Sequence, residues 1–208
     1  EGVSSNVIEN NIEGIEIVPS QKYLIKKNNT EISFQKNSFF NKVALNIESK
    51  NDTLVIHKDS YPLRKSYNIK IIKQVKDSIE KRQSYIGLIN NNGTLSYLNT
   101  TKTDQFFSTN SSILGSYVLS IDSISPEVKP LNFSLNKDIS NQKTIRLKVY
   151  DKTSGVKSYN ILINDKWALF EYEPKSNLIF HQIEDGIIKN GENNINIKVI
   201  DGVGNETE

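Results

Sequence analysis

The chain has 208 residues, 26 Lys and Arg against 24 Asp and Glu for a net charge of +2, and no Cys. So balanced a charge gives no field to gather nucleic acid or anionic membrane, and without Cys there are no disulfides, thiolate nucleophiles or zinc–cysteine sites. The length allows two ordinary domains, each with its own core, and no apolar run approaches the ~20 residues of a membrane-spanning helix.

Residues 1–14 are polar and Asn-rich, with isolated apolar positions at Val3, Val7, Ile8 and Ile12. They read as a linker or a loosely attached strand. The start at Glu1, with no initiator Met and no signal-peptide pattern, predicts a piece excised from a longer chain. From residue 15 onward, short apolar alternations of period two dominate. Tyr23 to Ile25, Ile32 to Phe34, Val43-Leu45-Ile47, Leu54 to Ile56, Tyr67-Ile69-Ile71, Tyr85 to Ile89, Leu95-Tyr97 and Tyr117-Leu119-Ile121 each predict a half-buried strand. Between them, Val75 and Ile79 stand four apart among charges, which predicts a turn or two of helix inside 73–82. Asn90-Asn91-Asn92-Gly93 predicts a hairpin turn pairing strands 85–89 and 94–98.

Ser125-Pro126 and Lys129-Pro130 predict an extended connector that belongs to no ladder. Beyond it, Ile145-Leu147-Val149, Tyr159-Ile161-Ile163, Trp167 to Tyr172, Leu178 to Ile183 and Ile195-Ile197-Val199 alternate again, with Asn164-Asp165 and 174–177 as turns. The fold class is therefore all-β: two consecutive β-sandwich domains, 15–124 and 125–208, the second immunoglobulin-like. Two loops repeat a pattern, Asp151-Lys152-Thr153-Ser154-Gly155 and Asp201-Gly202-Val203-Gly204-Asn205. In each, the Asp is expected to fold back onto loop N–H groups while Gly supplies a positive φ.

No metal site is expected, although Asp151 and Asp201 leave a minority calcium hypothesis whose spacing is not that of an EF-hand. His57 and His181 fall one in each domain without ligand spacing, and each is expected on a polar strand face or strand end. In Trp167 to Tyr172 a single strand would put Trp167 and Leu169 on one face and Phe170 and Tyr172 on the other. Core packing and an interface account for most of these aromatics, and Trp167 and Tyr172 remain the candidate ligand contacts. Lys26-Lys27, Arg64-Lys65 and Lys81-Arg82 read as solvated edges. There is no phosphate loop, nucleophile elbow or His-Glu-x-x-His pair, so no catalytic residue and no cofactor is expected.

Taken in order, Leu114-Gly115-Ser116-Tyr117, Asp122-Ser123-Ile124-Ser125-Pro126, Lys129-Pro130-Leu131-Asn132-Phe133, Asp151 to Val156, Ile163 to Trp167 and Asp201 to Asn205 resemble the C-terminal region of lysostaphin-type murein metallopeptidases from Bacteroidetes. The stretch Ile32 to Phe40, followed by Asn51-Asp52-Thr53-Leu54 and His57-Lys58-Asp59, is similar to the preceding module, so the likeness spans most of 15–208. Such proteins carry a zinc peptidase domain built on His-x-x-x-Asp and His-x-His, and neither motif exists here. The resemblance implies an exported, non-catalytic accessory region in the periplasm, outer membrane or cell surface, with an N-terminal peptidase domain or peptidoglycan as its partner. The alternative is a stand-alone surface adhesion or glycan-binding protein. The envelope setting also makes Asp52-Thr53-Leu54, Asp77-Ser78-Ile79 and Asp122-Ser123-Ile124 similar to Bacteroidetes O-glycosylation acceptors, with Thr53, Ser78 and Ser123 as the modified residues.

Overall fold

A computed structural model describes residues 5–9, 14–50 and 53–208; residues 1–4 and 10–13 of the expected linker, and Asp52, lie outside the described residues. The chain is all-β and divides into two compact units, Glu1–Asp122 and Ser123–Glu208. This division falls two residues before the one read from the prolines. The Asp122 N–H still bonds Gln83 O at 3.0 Å in the first unit, whereas the carbonyls of Ile124 and Pro126 accept from Asn205 and Thr207 in the second. Among the described residues no helix is long and apolar enough to cross a membrane.

The first unit has thirteen described strands: β1 (Asn6–Glu9), β2 (Ile15–Ile17), β3 (Tyr23–Lys27), β4 (Thr30–Phe34), β5 (Val43–Leu45), β6 (Ile47–Lys50), β7 (Thr53–Ile56), β8 (Tyr67–Ile72), β9 (Ser84–Ile89), β10 (Leu95–Leu98), β11 (Thr101–Lys102), β12 (Phe106–Ser111) and β13 (Gly115–Ile121). A six-stranded sheet runs β1-β3-β4-β8-β12-β11, a five-stranded sheet runs β10-β9-β13-β7-β6, and β2 pairs with β5. Ile25, Ile32, Phe34, Ile69 and Phe107 of the first sheet share one core with Ile47, Leu54, Ile56, Ile86 and Tyr117 of the second. Each such fully buried apolar side chain contributes about 1.5–3 kcal/mol relative to exposure.

The hairpin between β9 and β10 closes through Asn90 N–H to Thr94 O at 2.8 Å, with Gly93 at φ +80°, and Asn92 Oδ1 accepts from the Thr94 N–H and hydroxyl. Helix α1 (Ser78–Gln83) starts on Asp77, whose Oδ1 accepts from the Glu80 N–H at 2.7 Å. β1, β11 and β12 lack a clean apolar alternation, whereas β2, Ile15-Glu16-Ile17, alternates over only three residues. In β12 the reason is visible: its inward positions after Phe107 are Thr109 and Ser111, whose hydroxyls are bonded to Asn99 O and to the Tyr117 hydroxyl.

The second unit holds β14 (Glu127–Pro130), β15 (Thr144–Tyr150), β16 (Val156–Ile163), β17 (Lys166–Trp167), β18 (Glu171–Glu173), β19 (Leu178–Gln182), β20 (Ile195–Asp201) and β21 (Glu206–Thr207). They form two four-stranded sheets, β14-β15-β19-β18 and β17-β16-β20-β21. This is the strand order of an immunoglobulin-like sandwich. Ile145, Leu147, Val149 and Ile179 of one sheet meet Ile161, Ile163 and Val199 of the other, and Phe170 packs with them. The segment around Pro126 and Pro130 corrects the expected connector. Its middle is the edge strand β14, paired with β15 from Glu127 opposite Tyr150 to Pro130 opposite Leu147. An edge strand tolerates proline because one of its sides has no ladder to donate to.

Candidate functional site

The two Asp loops of the second unit are built alike. Asp151 Oδ1 accepts from the N–H groups of Thr153, Ser154 and Gly155 at 3.1, 2.8 and 2.7 Å. Asp201, fully buried, accepts through Oδ1 from Val203, Gly204 and Asn205 at 3.0, 2.7 and 2.8 Å, and its Oδ2 accepts from Asn205 Nδ2 at 2.8 Å. The loops are tied to each other, since the Gly202 N–H donates to Gly155 O at 3.0 Å and to Ser154 Oγ at 3.1 Å. Gly155 at φ +74° and Gly204 at φ +92° turn the chain so that successive N–H groups converge on one oxygen. Carboxylate oxygens of Asp151 and Asp201 come within 4.8 Å of one another. In each loop the backbone N–H donors converge on Oδ1. The geometry supports a structural role for both residues. A Cβ at Gly155 would meet nothing within 4 Å, so Gly155→Ala is expected to destabilise the second unit by about 1–2 kcal/mol through the left-handed backbone alone, read as a shift of its urea midpoint.

The Trp167 to Tyr172 run is not one strand. Lys166–Trp167 belongs to the sheet of β16, and Glu171–Glu173 to the sheet of β19, with Ala168 and Phe170 buried where the chain crosses between them. Trp167 (61% exposed) and Tyr172 (37%) therefore stand on different sheets and cannot form one contact surface by strand alternation. Tyr172 makes an edge contact with Tyr159, whose hydroxyl donates to Phe170 O at 2.7 Å. Burial, then the neighbouring Tyr172 and Glu171, push the Tyr159 phenol up. Trp167 lies opposite Leu162, which lies opposite Asn196, so the three form a row across β17, β16 and β20 on the outer face. Beside that row a shallow cleft of about 450 Å³ is lined by Leu162, Asp165, Asn194, Asn196 and Glu208, among others. Lys198 is paired with Glu206 and, at 3.3 Å, with the cleft residue Glu208; Glu206 first and Glu208 next hold its ammonium above the ordinary lysine range.

Of the two histidines, one stands at a strand end as expected and the other departs from expectation. His57 ends β7 at φ +52°, stacks on Tyr61 at 5.0 Å, and its Nδ1 accepts from the Asn46 N–H at 3.3 Å. His181 is not on a polar face but buried in the core, stacked on Phe170 at 5.1 Å, with Nδ1 donating to Leu169 O at 2.8 Å. In the first unit, sequence reasoning missed a small cleft of about 240 Å³ lined by Phe39, Phe40, Lys42, Tyr61 and Pro62, where exposed Phe40 lies 5.3 Å under the Arg64 guanidinium. The other basic clusters pair outward as edges, Lys26 with Glu9 at 3.5 Å and Lys81 with Asp104 at 2.6 Å. Of the three modification candidates, Ser78 and Ser123 are exposed, whereas Thr53 is half-buried in β7, paired on both sides. The carboxylate of Asp77 is engaged as the helix cap, and Asp122 is buried.

Residues 17–122, spanning the paired sheets of the first unit, match the model of the Zu5-like domain. The chain belongs to the Zu5-like domain family. Within the Zu5-like unit the match runs from the end of β2 to Asp122, the last residue of that unit. Comparison with curated proteins and with solved structures finds no match.

Proposed function

We propose that this chain is a non-catalytic accessory region of an exported cell-envelope peptidoglycan metallopeptidase, which positions or restrains the peptidase or contacts its substrate. The observation that carries this reading is how the polar groups of the two sandwiches are used. The loop carboxylates Asp151 and Asp201 bind their own backbone, His57 and His181 lie one in each unit, and His181 is enclosed by the core. Added to this is the resemblance of 15–208 to the accessory modules of lysostaphin-type enzymes. Zymography of the full parent protein against a version truncated before Glu1 tests it. Loss of activity on murein, or mislocalisation, in the form cut short is the expected result, while unchanged activity together with unchanged localisation would overturn it.

One observation favours a second reading, a stand-alone surface adhesion or glycan-binding protein. Trp167, the only Trp of the chain, stands 61% exposed on a sheet face. A tryptophan so displayed gives up burial that its size would otherwise supply, which is the usual mark of a contact residue.

A further inference from the structure

We infer that the outer face of the β17-β16-β20-β21 sheet is a carbohydrate-binding site, with Trp167 as a stacking platform and the cleft beside it as the polar subsite for a pyranose ring. The inference rests on the substrate-contact part of the function proposed above, and applies equally to its glycan-binding alternative. Cross-strand registry places Trp167, Leu162 and Asn196 in one row, and Asn160 opposite Lys198 in the next row on the same face. Glu208 reaches the same neighbourhood through its ion pair with Lys198. An apolar strip formed by indole and leucine thus runs beside amides, a carboxylate and an ammonium.

That combination matches the two chemistries of a pyranose. Its axial C–H face is apolar and packs on an aromatic ring, while its equatorial hydroxyls each donate and accept. Asn194 and Asn196 offer both donor and acceptor, Asp165 and Glu208 accept, and all four line the cleft. Apolar side chains alone would suit a protein partner better, and carboxylates alone would suit a cation; the alternation of the two along one strip favours a sugar.

The face is also pre-organised. The β16–β17 turn holds Asn164 and Asp165 at φ +51° and +61°, and Asn164 Oδ1 accepts from the Asn194 N–H at 3.0 Å while its Nδ2 donates to Asn193 Oδ1 at 2.8 Å. Asn193 in turn bonds the 189–191 loop through Lys189 N–H, Lys189 O and Gly191 O. The wall of the cleft therefore needs little ordering when a ligand arrives, which removes one of the main penalties of binding.

Because Trp167 is the only Trp, its fluorescence reports this face and no other. The experiment is a titration of the whole chain with cellotetraose and, separately, with the tetramer of N-acetylglucosamine, each to about 10 mM, a range that covers weak one-platform binding. A saturable spectral shift with either probe, weakened roughly tenfold by Asn196→Ala and abolished in calorimetry by Trp167→Ala, is the expected result. Tyr172→Ala, on the opposite sheet, should leave the titration unchanged. No saturable change with either sugar, or equal affinity in N196A and W167A with their circular dichroism intact, would overturn the inference. Because this titration needs no peptidase, a negative outcome beside a positive zymogram would remove the sugar site and leave the accessory reading standing.

Discussion

Asp201→Ala is expected to destabilise the second unit by about 3 kcal/mol. The alanine leaves the N–H groups of Val203 and Asn205, both buried, the half-buried N–H of Gly204 and the Asn205 amide without the carboxylate they share. Bonds to a charged acceptor contribute about 1.5–3 kcal/mol each, and a buried donor left unsatisfied costs about 1–3 kcal/mol, so even partial relaxation of the loop leaves a large loss. Asp201→Asn separates the two halves of the effect. Its amide oxygen can still take the three backbone donors, but its NH2 then faces the NH2 of Asn205, for a smaller loss of about 1–2 kcal/mol. Urea unfolding followed by far-UV circular dichroism would show a lower midpoint for the second transition in the order wild type, Asn, Ala. Midpoints of D201A and wild type that coincide would remove the loop from the account of stability. Asp151 sits in a half-buried loop, so the same substitution there should cost less.

The second large effect is alkaline. Tyr67 and Tyr117 are both fully buried in the first unit; the Tyr67 hydroxyl donates to Ile113 O at 2.8 Å and lies 3.1 Å from that of Tyr117, which bonds Ser111 Oγ at 2.8 Å. Burial first, and for Tyr67 the neighbouring Tyr117 next, push both phenols above the ordinary tyrosine value of 10.0. In the unfolded chain both ionise near 10, whereas in the folded chain they hold their protons to higher pH. Their contribution is therefore fully present below pH 10 and is lost as pH rises beyond it, at up to about 1.4 kcal/mol per pH unit for each phenol. Unfolding followed by near-UV tyrosine dichroism should give a denaturation midpoint for the first unit that is flat from pH 8 to 9.5 and falls steeply above about 10. Tyr67→Phe should make that fall shallower. A midpoint independent of pH up to 11.5 would contradict the buried pair.

How far the sequence could be read depended on whether burial and hydropathy agreed. β15 and β16 were plain because Ile145, Leu147, Val149, Ile161 and Ile163 are both apolar and inward. β12 was invisible because Thr109 and Ser111 point inward as satisfied hydroxyls, which looks polar in a sequence and apolar in a core. His181 failed for the same reason, with one ring nitrogen bonded to a carbonyl and the ring face stacked on Phe170. The Asp loops were legible because their partners lie within four residues of the carboxylate. The Trp167–Leu162 pairing was within reach, since the Asn164-Asp165 turn fixes which residues face each other, but a strand assumed to run unbroken from Trp167 to Tyr172 hid it. The Phe40–Arg64 contact joins residues that only the fold brings together, and no local pattern announces it.

The paired loops of the second unit carry one further consequence, for how such a domain drifts over evolutionary time. A carboxylate that binds the amides two, three and four residues downstream acts as a gauge of its own loop: one inserted or deleted residue puts the third amide out of reach. Lengthening of the chain is thereby excluded from 151–155 and 201–205, and because Gly202 bonds across to Gly155, a change in either would be felt in both. Divergence in length is left to segments such as 134–142, away from both carboxylate loops.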